Sequence, residues 1–228
     1  FNYTSLNRIP VNGSRHYAVG QQRLPSVSTI LSKTKSEEDK AALASWIARV
    51  GEKESERIKN AASANGTKMH SLIERYLKNR ENLELLEIEE ETGLAKQMAD
   101  KIISEGIEGK VNEVHGVECP IYYDSPKGWA GTADLVATYE SQLSICDMKQ
   151  KNSIMKESYS SYHEYMTQIA GYSLAHDKLF GSTITQGVIL LATTDLVFQI
   201  FRIDHEKLKE YQQKFLDRVE KYYYLISK

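Results

Sequence analysis

Apolar residues return at three- and four-residue intervals along several stretches of this chain and gather into short runs along others. Leu43, Trp46, Ile47 and Val50 share a helical face behind the start pattern Ser36-Glu37-Glu38-Asp39, and Gly51 interrupts the period. A polar helix is expected from 52 to about 64, with Asn65-Gly66 as a breaker. A further helix over 67–79 carries Met69, Leu72, Ile73, Tyr76 and Leu77 on its apolar side, and another is expected over 94–105. Strand character begins at Val117, with runs rich in β-branched and aromatic residues at 117–123, 130–139 and 142–149. The turns between them are Asp124-Ser-Pro-Lys-Gly128 and Tyr139-Glu-Ser-Gln142. A helix over 159–180 follows, closed by Gly181, then strands at 184–192 and 196–203. Asp204 can cap a last helix on which Leu208, Tyr211, Phe215, Val219 and Tyr222 recur every three or four residues. Residues 1–24, interrupted by Pro10, Gly13 and Gly20, read as irregular, and 24–31 (LPSVSTIL) as a short extended segment.

The order of helices, three strands, helix, two strands, helix predicts a mixed α/β (α+β) fold, a central mixed sheet flanked by helices. Two regions are expected within one compact domain: a basic arm and helical region over 1–110, and the sheet with its helices over 111–228. The length of 228 residues suffices for a sizeable core. No run of 18 apolar residues argues for a membrane-spanning helix. No secretory signal is visible, which points to an intracellular protein; because the first residue is Phe1 rather than Met, a trimmed mitochondrial leader stays open. Cys119 and Cys146 lie in strand-like runs and read as small buried thiols rather than a disulfide or metal pair.

A formal net charge of −2 offers no global attraction to nucleic acid, but the charge is unevenly spread. Residues 1–36 hold Arg8, Arg15, Arg23, Lys33 and Lys35 and no acid, whereas 81–91 (ENLELLEIEEE) is strongly acidic. Such a basic arm can track phosphates; it can equally be an uneven solvated surface.

The chemistry concentrates in GWAGTADLVATYESQLSICDMKQKNS, residues 128–153, where apolar runs carry Asp134, Asp147 and Lys149. Side chains at i and i+2 of a strand share a face, so Asp147 and Lys149 project together and Met148 points away. Asp134 lies on the preceding strand across a short turn and can stand beside Asp147. Two carboxylates this close repel, and a divalent cation relieves the cost of burying them; hard oxygen ligands select Mg²⁺ or Mn²⁺. The plainer alternative is a buried Asp147–Lys149 ion pair with an unrelated Asp134. His70 and Glu74 stand one turn apart on one helix, and Gln168 and Tyr172 one turn apart on another. Neither pair carries meaning alone.

Taken in order, Gly66-x-x-x-His70-x-x-x-Glu74, Gly131-Thr-x-Asp134, Asp147-x-Lys149 and Gln168-x-x-x-Tyr172 resemble the PD-(D/E)xK nuclease superfamily, in its RecB-type exonuclease branch. LPSVSTIL and QGVILLA (186–192) add similarity to the mitochondrial genome maintenance exonucleases and their bacterial and phage relatives. The resemblance implies a restriction-endonuclease-like core and a metal-dependent deoxyribonuclease that trims single-stranded DNA ends in replication, repair, recombination or phage DNA metabolism. It makes Asp134 and Asp147 metal ligands, with the Met148 carbonyl, and Lys149 the catalytic lysine. His70 would serve the metal or the scissile phosphate, and Gln168 and Tyr172 would contact DNA. Glu118, ahead of Glu113, would support the metal. The family often continues D-x-K-T-S, whereas Gln150 and Lys151 follow here, and these are expected to reach the phosphates.

Mg²⁺ or Mn²⁺ is the expected cofactor and DNA the expected partner, with a single-strand-binding protein or replication and recombination machinery as further partners, no membrane, and a monomer favoured. Trp46, Tyr76, Trp129 and Tyr172 are candidates for stacking on bases, against core packing as the default. A structure-selective endonuclease and a non-catalytic DNA-binding subunit are the alternatives. Iron–sulfur relatives need four cysteines and this chain has two. No phosphate-cradling P-loop is present.

Overall fold

The computed structural model describes residues 1–82 and 92–228, so most of the acidic run at 81–91 lies outside the described residues. The chain opens with a three-stranded antiparallel meander: β1 (Asn7–Val11), β2 (Ser14–Val19) and β3 (Gln22–Pro25). The sequence pattern reads as irregular here because Pro10, Gly13 and Gly20 interrupt it. Gly13 and Gly20 lie in hairpin turns, and Pro10 sits inside the edge strand β1. Asn12 and Gly13, at φ 48° and 72°, join the paired Val11 and Ser14, and Asn-Gly is the residue pair this turn favours. Gly20, at φ 55°, opens the second turn.

The expected extended segment at 24–31 is instead the end of β3 followed by α1 (Val27–Lys33). Ser26 decides this: its Oγ accepts the Thr29 N–H at 3.0 Å, capping a helix that the β-branched residues alone disfavour. α2 (Glu37–Val50) begins at Ser36, whose Oγ accepts the Asp39 N–H. It buries no residue, so the apolar face inferred from Leu43 and Trp46 is only partly covered.

α3 (Glu52–Asn82) runs unbroken through Asn65-Gly66, where a break was expected. Glycine inside a helix costs roughly 1 kcal/mol, and the tertiary structure offsets it. Met69, Leu72, Ile73 and Leu77 enter a core cluster, and the Gln150 side chain packs over Gly66 while its amide donates to the Ala62 carbonyl at 2.7 Å. α4 (Leu94–Ile102) then ends in a π-helical turn at Ile103–Ile107.

The central sheet has the order β4-β5-β6-β7-β8, formed by β4 (Val111–Tyr123), β5 (Trp129–Tyr139), β6 (Gln142–Lys151), β7 (Gln186–Thr193) and β8 (Phe198–Ile203). β6 and β7 are parallel and the other neighbours antiparallel, so the sheet is mixed as expected. β4 starts six residues ahead of the expected 117, because register shifts near Glu113 and Gly116 scramble its alternation. A parallel neighbour requires a crossover, and α5 (Ser160–Phe180) supplies it. α5 is closed by Gly181 at φ 62°, and α6 (His205–Ile226) is capped by Asp204, whose Oδ1 accepts the Lys207 N–H at 2.9 Å.

Every residue of β7 is buried. Ile189 and Leu191 face a layer of α1, α5 and α6 containing Ile30, Met166, Ile169 and Phe215. Val188, Leu190 and Ala192 face α3 and α4 through Ile73, Met98 and Ile102. Helices therefore cover both faces of the sheet. Cys119 and Cys146 are free and buried, as expected. Among the described residues, no helix is long and apolar enough to cross a membrane.

Candidate metal centre

The site grows from a fork in the sheet. β5 and β6 pair from Tyr139↔Gln142 only as far as Leu135↔Cys146. Beyond that point β5 stays with β4 down to Tyr123↔Trp129, and β6 stays with β7 up to Lys151↔Thr193. Asp134 and Asp147 are the first residues past the last β5–β6 pair. At the opening, the Met148 N–H donates to Asp134 Oδ2 at 2.9 Å, so a side chain stands in for the missing strand. In an extended strand the N–H and C=O of one residue leave the backbone on the same side, so the Met148 carbonyl faces the same gap.

Three groups converge there. His70 from α3, Glu118 from β4 and Asp134 from β5 place ligand atoms within 4.8 Å of one another, with His70 Nδ1 3.6 Å from Asp134 Oδ2. The register explains Glu118: between Val117↔Leu135 and Cys119↔Ala133, it stands opposite Asp134. Its φ of 52° is uncommon for a side chain with a Cβ and marks a local distortion of β4. Burial, then the Asp134 charge, pushes the Glu118 carboxyl above its usual range. Glu113 does not join: its carboxylate is largely exposed and lies 3.7 Å from His115.

Asp147 is not part of that trio. It is 1% exposed and ion-paired through Oδ2 with the Lys149 ammonium on the same strand face; neither carboxylate oxygen receives a well-formed hydrogen bond among the described residues. Burial raises its pKa to about 6 against the pull of Lys149, and Asp134 adds to the rise. Burial also works against the Lys149 charge, but Asp147 and Asp134 outweigh it and hold the ammonium above its ordinary range. Both alternatives drawn from the spacing are thus partly present: the Asp147–Lys149 pair exists, and Asp134 has carboxylate and imidazole company of its own.

Gln168 and Tyr172 meet as the i, i+4 spacing predicts, with Gln168 Nε2 donating to Tyr172 Oη at 3.0 Å. Tyr172 is buried, and burial followed by the Asp147 charge raises its hydroxyl pKa. Its ring lies over Gly131: a Cβ there would come within 2.5 Å of Cε1. The glycine of Gly131-Thr-x-Asp134 is therefore needed for space. Gln150 is engaged by the Ala62 carbonyl, and Lys151 donates to Ser161 Oγ at 3.0 Å. Trp129 is a core residue, 1% exposed, stacked on Tyr123 and donating to the Gly171 carbonyl, so it offers no platform for bases.

Sequence reasoning missed Tyr165, and it named two arginines of the basic arm without placing them here. Tyr165, from α5, holds its ring 5.0 Å from Lys149 Nζ. Arg8 and Arg15, from the meander, line a cavity together with His70, Glu74 and Glu118. The signal for the arginines was the acid-free charge of residues 1–36; their destination was hidden because the meander itself was missed.

The donor set fits a hard divalent cation. One imidazole nitrogen and two carboxylates could hold such an ion, the Met148 carbonyl lies at the same gap, and Asp147, ion-paired with Lys149, is on the strand beside it.

No protein family matches this chain, and no curated protein matches it. Among solved structures, it is similar to a crystal structure of a candidate exonuclease from Eubacterium rectale, with 20% identity over 70% of this chain and a TM-score of 0.46. The match spans 63% of that protein, just under two thirds of its length. It is also similar to the protein SSO0001, with 9% identity over 65% of this chain and 73% of that one, at a TM-score of 0.31.

Proposed function

We propose that this protein is a metal-dependent deoxyribonuclease of the PD-(D/E)xK type, in its RecB-like branch, that hydrolyses phosphodiester bonds at single-stranded DNA ends. The observation that carries this reading is the fork itself. It sets His70, Glu118 and Asp134 within 4.8 Å of one another, with the buried Asp147–Lys149 pair on the strand that parts from β5. A nuclease needs a cation site and a fixed positive charge near the phosphate, and both are supported here by residues whose burial is otherwise costly.

His70, Glu118, Asp134 and the Met148 carbonyl would hold the ion, with Asp147 at its edge. Mg²⁺ or Mn²⁺ bound there would polarise the scissile phosphate and lower the pKa of a water. Lys149, kept charged by two aspartates and steadied over the Tyr165 ring, stabilises negative charge as it builds on the phosphate. Water attacks phosphorus, the bond to the 3′ oxygen breaks, and that oxygen leaves with a proton, giving a 5′-phosphate and a 3′-hydroxyl. Gln168 and Tyr172 brace the wall at Gly131. The expected setting is DNA replication, repair or recombination.

The test is digestion of end-labelled single- and double-stranded DNA, with either end blocked, with and without Mg²⁺ and Mn²⁺. Progressive shortening from free single-stranded ends, only with metal, is the expected result. Retention of DNA without shortening would make the protein a binding module, and equal attack on closed circles would make it an endonuclease.

A further inference from the structure

The basic arm has a defined destination. In the meander Arg8 pairs with Tyr17 and Pro10 with Arg15, so Arg8, Arg15 and Tyr17 share one face. That face is turned toward β5: Tyr17 is 2% exposed and its hydroxyl lies 3.2 Å from Thr132 Oγ1, which also accepts from Arg8 at 3.4 Å. The Arg15 carbonyl accepts from the Ser26 N–H at 3.0 Å and the Thr29 hydroxyl at 2.8 Å, which fixes Arg15 beside α1. Two open cavities meet at this residue. One, of about 390 Å³, has Arg8 and Arg15 opposite His70 and Glu118. The other, of about 230 Å³, is lined by Arg15, Ser28, Ser32 and Lys33. Arg8, Arg15 and Lys33 are all exposed, and among the described residues none forms an ion pair with a carboxylate.

We infer that Arg8, Arg15 and Lys33 form a phosphate track that leads one nucleic-acid strand away from the carboxylate cluster, across the meander, to α1. Arg15 serves both cavities and is the hinge of the track. Two cavities that share Arg15 in their walls suit neighbouring phosphates of one strand. Guanidinium groups suit the phosphate oxygens, and the Ser32 hydroxyl beside Lys33 adds a neutral donor. The track rests on the nuclease reading and assigns it a substrate-holding surface outside the fork.

The test measures binding of a fluorescently labelled oligothymidylate by anisotropy, in chelator, across a potassium chloride titration. Arg15→Gln is expected to weaken binding roughly tenfold, the loss of one charge-assisted contact. The Arg8→Gln/Arg15→Gln/Lys33→Gln triple variant is expected to flatten the slope of log affinity against log salt by about 2, three contacts at ~0.7 each. Arg23→Gln and Lys35→Gln, which carry the arm's remaining charge but line neither cavity, are the controls. An unchanged slope in the triple variant overturns the track. So does equal weakening in the controls, which would make the arm a diffuse charge, and so does equal loss with a blunt duplex. Incubation of the same oligothymidylate with the unaltered protein and Mn²⁺ separates the two ideas. Arg15-dependent binding without shortening of the strand would refute the nuclease reading and leave the track standing.

Discussion

Replacing Asp134 by asparagine separates a metal ligand from a structural acid, because the two roles have opposite signs. The amide keeps an oxygen for the Met148 N–H, so the fork retains its bridge. What disappears is the negative charge within 4.8 Å of the Glu118 carboxylate. At that separation and an effective dielectric of about 20, two unit charges repel by roughly 3 kcal/mol. A neutral acceptor in place of a charged one returns about 1 kcal/mol of this, and lost attraction to the Lys149 ammonium is offset by relieved repulsion with Asp147. The net expectation in chelator is a variant more stable by about 1–2 kcal/mol, or roughly 2–8 °C in Tm for a chain of this size. With divalent cation at a hundredfold over Kd the order reverses. The unaltered protein gains about 2.7 kcal/mol, roughly 5–11 °C, and the variant gains almost nothing. Differential scanning fluorimetry with chelator, Mg²⁺ and Mn²⁺ reads both arms. A variant that melts below the unaltered protein in chelator, or that shares its cation shift, refutes the assignment of Asp134 as a ligand.

Other expectations are reached by simpler measurements. Lys149→Ala should abolish cleavage while largely preserving DNA binding, and by leaving the 1%-exposed Asp147 without its counter-charge should cost about 3–5 kcal/mol in urea unfolding; turnover retained in both Lys149→Ala and Asp147→Ala would remove the catalytic assignment. Gly131→Ala should destabilise by about 1–3 kcal/mol through its 2.5 Å clash with Tyr172, and the loss should be less than additive with Tyr172→Ala. Strict additivity in that cycle would show that the ring does not require the glycine. His176 is fully buried between Tyr3 Oη and Ser182 Oγ, and burial lowers its pKa from 6.5 to about 4. Folding favours the neutral ring, so this stability is complete above 6.5 and disappears as pH falls through about 4. It amounts to about 3 kcal/mol. Urea midpoints between these pH values should fall less steeply in His176→Asn; parallel slopes would show that His176 does not drive the loss.

Much of the framework was legible because local chemistry and tertiary outcome agree. Asp204 and Ser36 announce helix starts that form, and Gly181 a helix end that forms. The strands containing Asp134, Asp147 and Lys149 lie within a few residues of their expected ends, since each is a short apolar run bounded by turn residues. The shared face of Asp147 and Lys149 follows from the two-residue period alone. The failures fall where local and global preferences conflict. Asn65-Gly66 reads as a break, yet α3 continues because Met69, Ile73 and Leu77 find a core and Gln150 reaches Ala62.

Residue order specifies which side chains share a strand face or a helix turn, because those periods are properties of the backbone. It does not specify how far two strands stay paired. The fork between β5 and β6, the distorted Glu118 opposite Asp134, and the arrival of Arg8 and Arg15 beside His70 all depend on register and on packing between distant segments. The carboxylates, the lysine and the basic arm were therefore readable as ingredients. Their assembly into one centre, with His70 and Glu118 gathered beside Asp134, came from the balance of strand pairing against side-chain contacts across the whole fold.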